Sequence, residues 1–217
     1  MKEQTKQQNQ NRKAEDEARA AVIDGKNIHE AVRDITIKAL SEGHLDLQKM
    51  REVVHSVLQG ASTGAKDKGA QAEPSIREAI SGIDEALAKS AEASSLAIEE
   101  AAGHIKEFGT QDLKRGLNDL AALEGMFMDT VKNIAQASDG AVREVLSDMA
   151  QHANNTGTAV GAAAKTAVET LTRQLGQNVR ERMTTGVDTA RKVGEHLSLA
   201  AAGFLEGIAE TLKKKGQ

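Results

Sequence analysis

VGAAAKTAVETLTRQLGQNVRERMTTGVDTARKVGEHLSLAAAGFLEGIAETL, residues 160–212, is the stretch that decides the fold. One stripe recurs through it as Val160, Ala164, Val168, then Leu171, Leu175, Val179, then Arg182, Gly186, Ala190, then Val193, Leu197, Ala201, and last Phe204, Ile208, Leu212. Each triplet starts eleven residues after the one before. Eleven residues over three turns is about 3.67 per turn, so the stripe runs almost straight along a helix, with a slight right-handed drift. No proline interrupts it. An unbroken helix of this length measures about 80 Å. Such a rod needs partner helices or a surface to lie on.

The same phase extends upstream. Ile76, Ile80, Ile83, then Leu87, Ala91, Ser94, then Ile98, Ala102, Ile105 repeat at eleven, and Leu113, Leu120, Phe127, Val131, Ala135, Val142, Leu146 and Met149 carry apolar positions onward. Ser94, Gly109, Gly116, Glu124, Ser138, Gly157, Arg182 and Gly186 depart from the pattern. Two origins remain open: duplication of an eleven-residue unit, or an ordinary amphipathic helix whose natural period lies close to it. Either predicts an all-α fold, an elongated antiparallel helical bundle or coiled coil of long amphipathic helices.

Composition agrees. Apolar residues make up 39% of the chain, but many are Ala, and the 1% of aromatics is entirely Phe. Without Trp or Tyr, helices meet through small side chains, not around a thick aromatic core. One proline in 217 residues permits long helices. A net charge of −4, mixed along the chain, predicts no nucleic-acid partner. The lack of Cys excludes disulfides and thiol chemistry. The N-terminus shows no secretory signal, and the longest apolar run, Leu197 to Leu205, is too short to span a bilayer. The expected location is the cytoplasm.

Residues 1–13, rich in Gln, Asn and Lys, read as a disordered polar tail. Short N-terminal helices are expected over 14–59. The first ends at Gly25; the second opens with Asn27 and Glu30 as a capping box and carries Ile28, Val32, Ile35 and Ala39; the third carries Leu47, Met50, Val54, Val57, Leu58 and Ala61. Gly60, Gly64 and Gly69 mark a linker over 60–73. The long-helix region, 74–217, opens at Pro74 with Ser75 and Glu78 as a second capping box. Its helices are expected at about 74–108, 110–153 and 158–215, with Thr110 as an N-cap and Asn154, Asn155 and Gly157 at the last corner.

Catalytic patterns are lacking. His29, His44, His55, His104, His152 and His196 have no second His or Cys at helical ligand spacing, so no metal site is expected. The segment Gly60 to Lys66 imitates a phosphate loop but lacks its glycine spacing and a Ser or Thr after the Lys. No cofactor site and no enzymatic activity are expected. Gly157 with Gly161, and Gly203 with Gly207, are spaced for close helix packing. The run Lys213, Lys214, Lys215 complements a helix C-terminus or anchors to an acidic surface.

Thr- and Ala-rich repeats such as Lys165–Arg173 and Thr184–Val193 resemble those of lipid-surface proteins: phasins, exchangeable apolipoproteins, synucleins and late-embryogenesis proteins. Over Ile76 to Lys215 the chain is most similar to phasins in length and layout. The resemblance implies a non-enzymatic coat or scaffold on a polyhydroxyalkanoate granule or membrane surface, self-associating as a homo-oligomer. Val160, Val168, Leu171, Leu175, Val179, Val193, Leu197, Phe204, Ile208 and Leu212 form the stripe that would make this contact. The competing reading buries the same stripe among the protein's own or partner helices, as a soluble bundle for protein–protein interaction or stress protection. Phe108, Phe127 and Phe204 are insertion points on a surface in the first reading and core plugs in the second.

Overall fold

The computed structural model describes residues 2–41, 47–103 and 110–182. Over these the chain is all-α: α1 (Lys2–Asp24), α2 (Ile28–Ser41), α3 (Leu47–Lys66), α4 (Ala72–Gly103), α5 (Thr110–Ala137), α6 (Gly140–Thr156) and α7 (Ala159–Arg182), with a 3-10 turn at Gly69–Gln71.

Helix α4 is the axis of the bundle. Its 32 residues span about 48 Å, and it touches every other helix. Its apolar stripe faces inward, with Ile76, Ile80, Ile83, Leu87, Ala91 and Ile98 all buried. Helix α5 adds Leu120, Phe127, Val131 and Ala135, α6 adds Val142 and Leu146, and α7 adds Val160, Ala164 and Leu171 to the same continuous core. Phe127 is therefore a core plug. Gly116 of α5 lies against Ile98 of α4, while Asp84 of α4 and Glu124 of α5 meet at the start of α7, so α4 and α5 run antiparallel.

Helices α1 and α3 pair differently. Glu15, Arg19 and Val22 step past Gly60, Gly64 and Lys68 in the same order, so these two helices are parallel, with α2 as the return. Ala14 and Ala18 of α1 and Ala61 and Ala65 of α3 are all buried in the core, and such small side chains let the helix axes come close. A Cβ added at Gly60 would land on the main chain of Glu15, and one at Gly64 would sit 2.7 Å from the Arg19 carbonyl. Gly82 of α4 plays the same part against His29 and Arg33 of α2. The far end of the α1–α3 pair is tied by Arg19 Nη2 to Asp67 Oδ2 at 3.0 Å and by Lys68 Nζ donating to the Val22 carbonyl at 3.0 Å. A cation there complements the negative end of α1.

Four boundaries differ from those expected. The chain is helical from Lys2, not disordered to residue 13, because Lys, Glu, Gln and Arg, all good helix formers, outnumber Thr5, Asn9 and Asn11, and no Gly or Pro separates them from the anchored turns at Ala14 to Val22. The 60–73 linker is largely the end of α3, with Gly60, Ala61, Ser62, Gly64 and Ala65 buried; the glycines answer a need for closeness, not for flexibility. Pro74 and Ser75 lie inside the first turn of α4, where a missing N–H is tolerated. The expected 110–153 helix is broken at Ser138 and Asp139, where extended backbone at Asp139 leads into Gly140 at φ +56°, and α6 folds back against α5. Helix α1 itself ends at Asp24, followed by Gly25 at φ +75°. No described helix is long and apolar enough to cross a membrane.

Candidate functional site

The stripe of the opening stretch splits by position. Val160 and Leu171 are fully buried, and Val168 packs half-buried against the same core, so this part of α7 is closed by α4 and α5. Leu175 and Val179 continue α7, whose backbone is described to Arg182. Val193, Leu197, Phe204, Ile208 and Leu212 lie outside the described residues, as do Phe108, His44, His104 and His196.

The start of α7 is seated on a defined set of polar contacts. Asp84 accepts from the Ala159 amide through Oδ2 and from the Val160 amide through Oδ1, each at 2.8 Å. Glu124 Oε1 accepts from the Thr158 amide at 3.1 Å and from its hydroxyl at 2.8 Å, and Thr158 Oγ1 in turn accepts from the Gly161 amide at 2.9 Å. Two carboxylates and an N-cap threonine thus satisfy four donors at the positive end of α7. A side chain at position 161 would collide with the Glu124 carboxyl, and Gly157 at φ +78° turns the chain out of α6. The Gly157–Gly161 spacing therefore serves a turn and a carboxylate rather than helix-to-helix packing. Burial raises the Asp84 carboxyl above its ordinary value, the Val160 and Ala159 amides pull it back, and the nearby Glu124 charge adds to the rise.

A second cluster links α2 to α4. His29 Nε2 lies 2.6 Å from Glu85 Oε2, Lys89 Nζ lies 2.6 Å from Glu85 Oε1, and Arg33 Nη1 lies 3.5 Å from the same oxygen. The Lys89 and His29 hydrogen bonds, with the Arg33 charge, hold the Glu85 carboxyl down at about 2. His29 is thus tied to a carboxylate 56 residues away, and no local spacing could have revealed it.

A cleft of about 210 Å³ opens between α4, α5 and α6. Phe127, Met128, Val131 and Met149 form its apolar floor, Arg77 and His152 stand at one end, and Asp84 and Thr158 at the other. Arg77 and His152 also border an open hollow with Asp148, Gln151 and Asn155. Among the described residues no three His, Asp or Glu side chains are grouped so as to hold a metal ion.

Residues 4–214 match a family of unknown function, DUF6781. The chain belongs to that family. The DUF6781 match takes in the bundle together with the C-terminal part of the stripe. Neither a curated protein nor a solved structure matches the chain.

Sequence reasoning missed Asp84, Glu124 and Thr158. Thr158, directly after a glycine and before an Ala-rich run, carried a readable N-cap signal. The two acids cap a helix 75 and 34 residues downstream; Glu124 shows only as a polar departure from the apolar stripe, and nothing local marks Asp84.

Proposed function

We propose that the chain is a non-enzymatic scaffold whose bundle carries the remaining stripe, Leu175, Val179, Val193, Leu197, Phe204, Ile208 and Leu212, into contact with partner helices, first those of a second copy of the chain. The observation that carries this reading is the burial of Val160, Ala164 and Leu171 among α4 and α5. Where its side chains are described, the stripe is used for helix-to-helix contact. Its spacing continues beyond Arg182 without a proline, so the same use is the simplest extension. Small residues at core positions let helices approach closely.

A phasin-like coat on a hydrophobic granule or membrane surface is the second reading. It draws support from the Thr- and Ala-rich repeats, from Phe204 and from Lys213 to Lys215. It has only the stripe beyond Leu171 to work with unless α7 leaves its seat. Light scattering of the full chain after gel filtration, with circular dichroism in buffer and with anionic vesicles, tests both. Self-association lost in Leu197→Asp and Ile208→Asp, with helicity indifferent to vesicles, supports the scaffold. Flotation with vesicles and a rise in helicity support the coat. A monomer that ignores vesicles overturns both.

A further inference from the structure

We propose that the cleft between α4, α5 and α6 binds a small monocarboxylate with a short alkyl tail. The floor of Phe127, Met128, Val131 and Met149 is apolar, and its two methionines are unbranched side chains that adapt to an irregular tail. The ends differ in charge. Arg77 stands at the mouth with His152; among the described residues Glu73 accepts from its Nε and Nη2 through one oxygen, at 3.3 and 3.2 Å, from the exposed flank of α4, and Asp148 lines the adjoining hollow. At the opposite end both oxygens of Asp84 are committed to the amides of α7. Arg77 and Asp84 thus give the cleft ends of opposite charge, and the Arg77 end, tempered by Glu73 and Asp148, is the one that accepts a carboxylate.

Size narrows the class. Arg77 and Asp84 stand seven residues apart on α4, two turns or about 10 Å. A cavity of about 150 Å³ accepts benzene, so the 210 Å³ here takes roughly eight non-hydrogen atoms. Hexanoate has that many. Longer chains overrun the slot at the Asp84 end, and acetate leaves the floor uncovered. The open hollow beside Arg77 and His152, lined by Asp148, Gln151 and Asn155, provides the entry.

The test is titration of the full-length protein, labelled at the methionine methyls, with hexanoate, hexanol, acetate and dodecanoate, read by NMR at Met128 and Met149. Saturable shifts with hexanoate are expected. Arg77→Gln is expected to weaken hexanoate at least about tenfold, the factor that one charge-assisted hydrogen bond carries, and to leave hexanol unchanged. Ala153→Leu, which fills the slot from α6, is expected to remove both responses while the circular dichroism spectrum is retained. Equal binding of hexanoate and hexanol, tighter binding of dodecanoate, acetate as effective as hexanoate, or no saturable shift at either methionine would each overturn the proposal. None of these readouts depends on self-association or on vesicles, so the scaffold reading can stand or fall separately.

Discussion

Replacing a glycine with alanine at two helical positions should move stability in opposite directions. Gly125 lies on the exposed face of α5, and a Cβ there meets nothing within 4 Å. Alanine removes the backbone freedom of glycine in the unfolded chain, so Gly125→Ala should stabilise by up to about 1 kcal/mol. Gly60 of α3 gains the same amount in principle. There, however, the new Cβ lands on the carbonyl, carbonyl carbon and Cα of Glu15, the last at 3.0 Å, and main chain cannot rotate aside as a side chain could. Helices α1 and α3 must separate, which loosens the Ala14, Ala18, Ala61 and Ala65 contacts along the pair. Overpacking of this kind costs about 1–3 kcal/mol, so the net change is a loss of up to about 2 kcal/mol after the propensity gain. The two variants should thus differ by the overpacking cost, about 1–3 kcal/mol, in urea unfolding followed at 222 nm. Gains of equal size at both positions would show that α1 does not lie on α3, and the parallel α1–α3 pair would have to be abandoned.

Three further outcomes follow from individual residues. Ser62 Oγ is buried with no partner among the described residues, whereas Thr36, Ser90 and Thr130 each donate to the carbonyl four residues back; Ser62→Ala should therefore raise stability by about 1 kcal/mol in the same assay. Glu85 has a carboxyl lowered from 4.5 to about 2, so its contribution is complete above about pH 4.5 and fades as pH falls toward 2. Because the group is a third exposed, the loss in Glu85→Gln at neutral pH should be no more than about 1 kcal/mol, and the difference from wild type should vanish only below about pH 2. Asp84→Ala should cost about 1–2 kcal/mol, with faster hydrogen exchange at the Ala159 and Val160 amides; exchange unchanged at both would remove Asp84 as the seat of α7.

The helical class and the inward stripe could be read from residue spacing because period and burial are local properties of one helix. Ile76 to Ile98 and Val160 to Leu171 needed only the assumption that apolar faces turn inward. Gly25 was legible as a stop because a left-handed residue after a helix strongly selects glycine. Gly60 and Gly64 were misread: their four-residue spacing is the one that suits close helix packing, but beside Gly69, Lys and Asp they look like loose linker, and the presence of α1 over that face decides the matter. The polar run before Ala14 misled for the opposite reason, since lack of apolar residues removes the burial signal but leaves helix propensity intact. The Asp84–Glu124 seat and the cleft floor join residues distant in the chain, and no periodicity encodes that.

The chain has no cysteine, so single cysteines can be placed without background, and their reaction rates report the stripe directly. Leu171→Cys and Glu169→Cys sit on opposite sides of α7, one fully buried and one exposed. In the full-length protein, with and without anionic vesicles, the thiol at position 169 should react at the rate of a free thiol. The thiol at 171 should be at least about a hundredfold slower, its reaction requiring a local opening that costs roughly 3 kcal/mol. Equal rates at the two positions in buffer, in a chain that is still helical, would mean that α7 does not pack on α4 and α5 and would contradict the buried stripe on which the account rests.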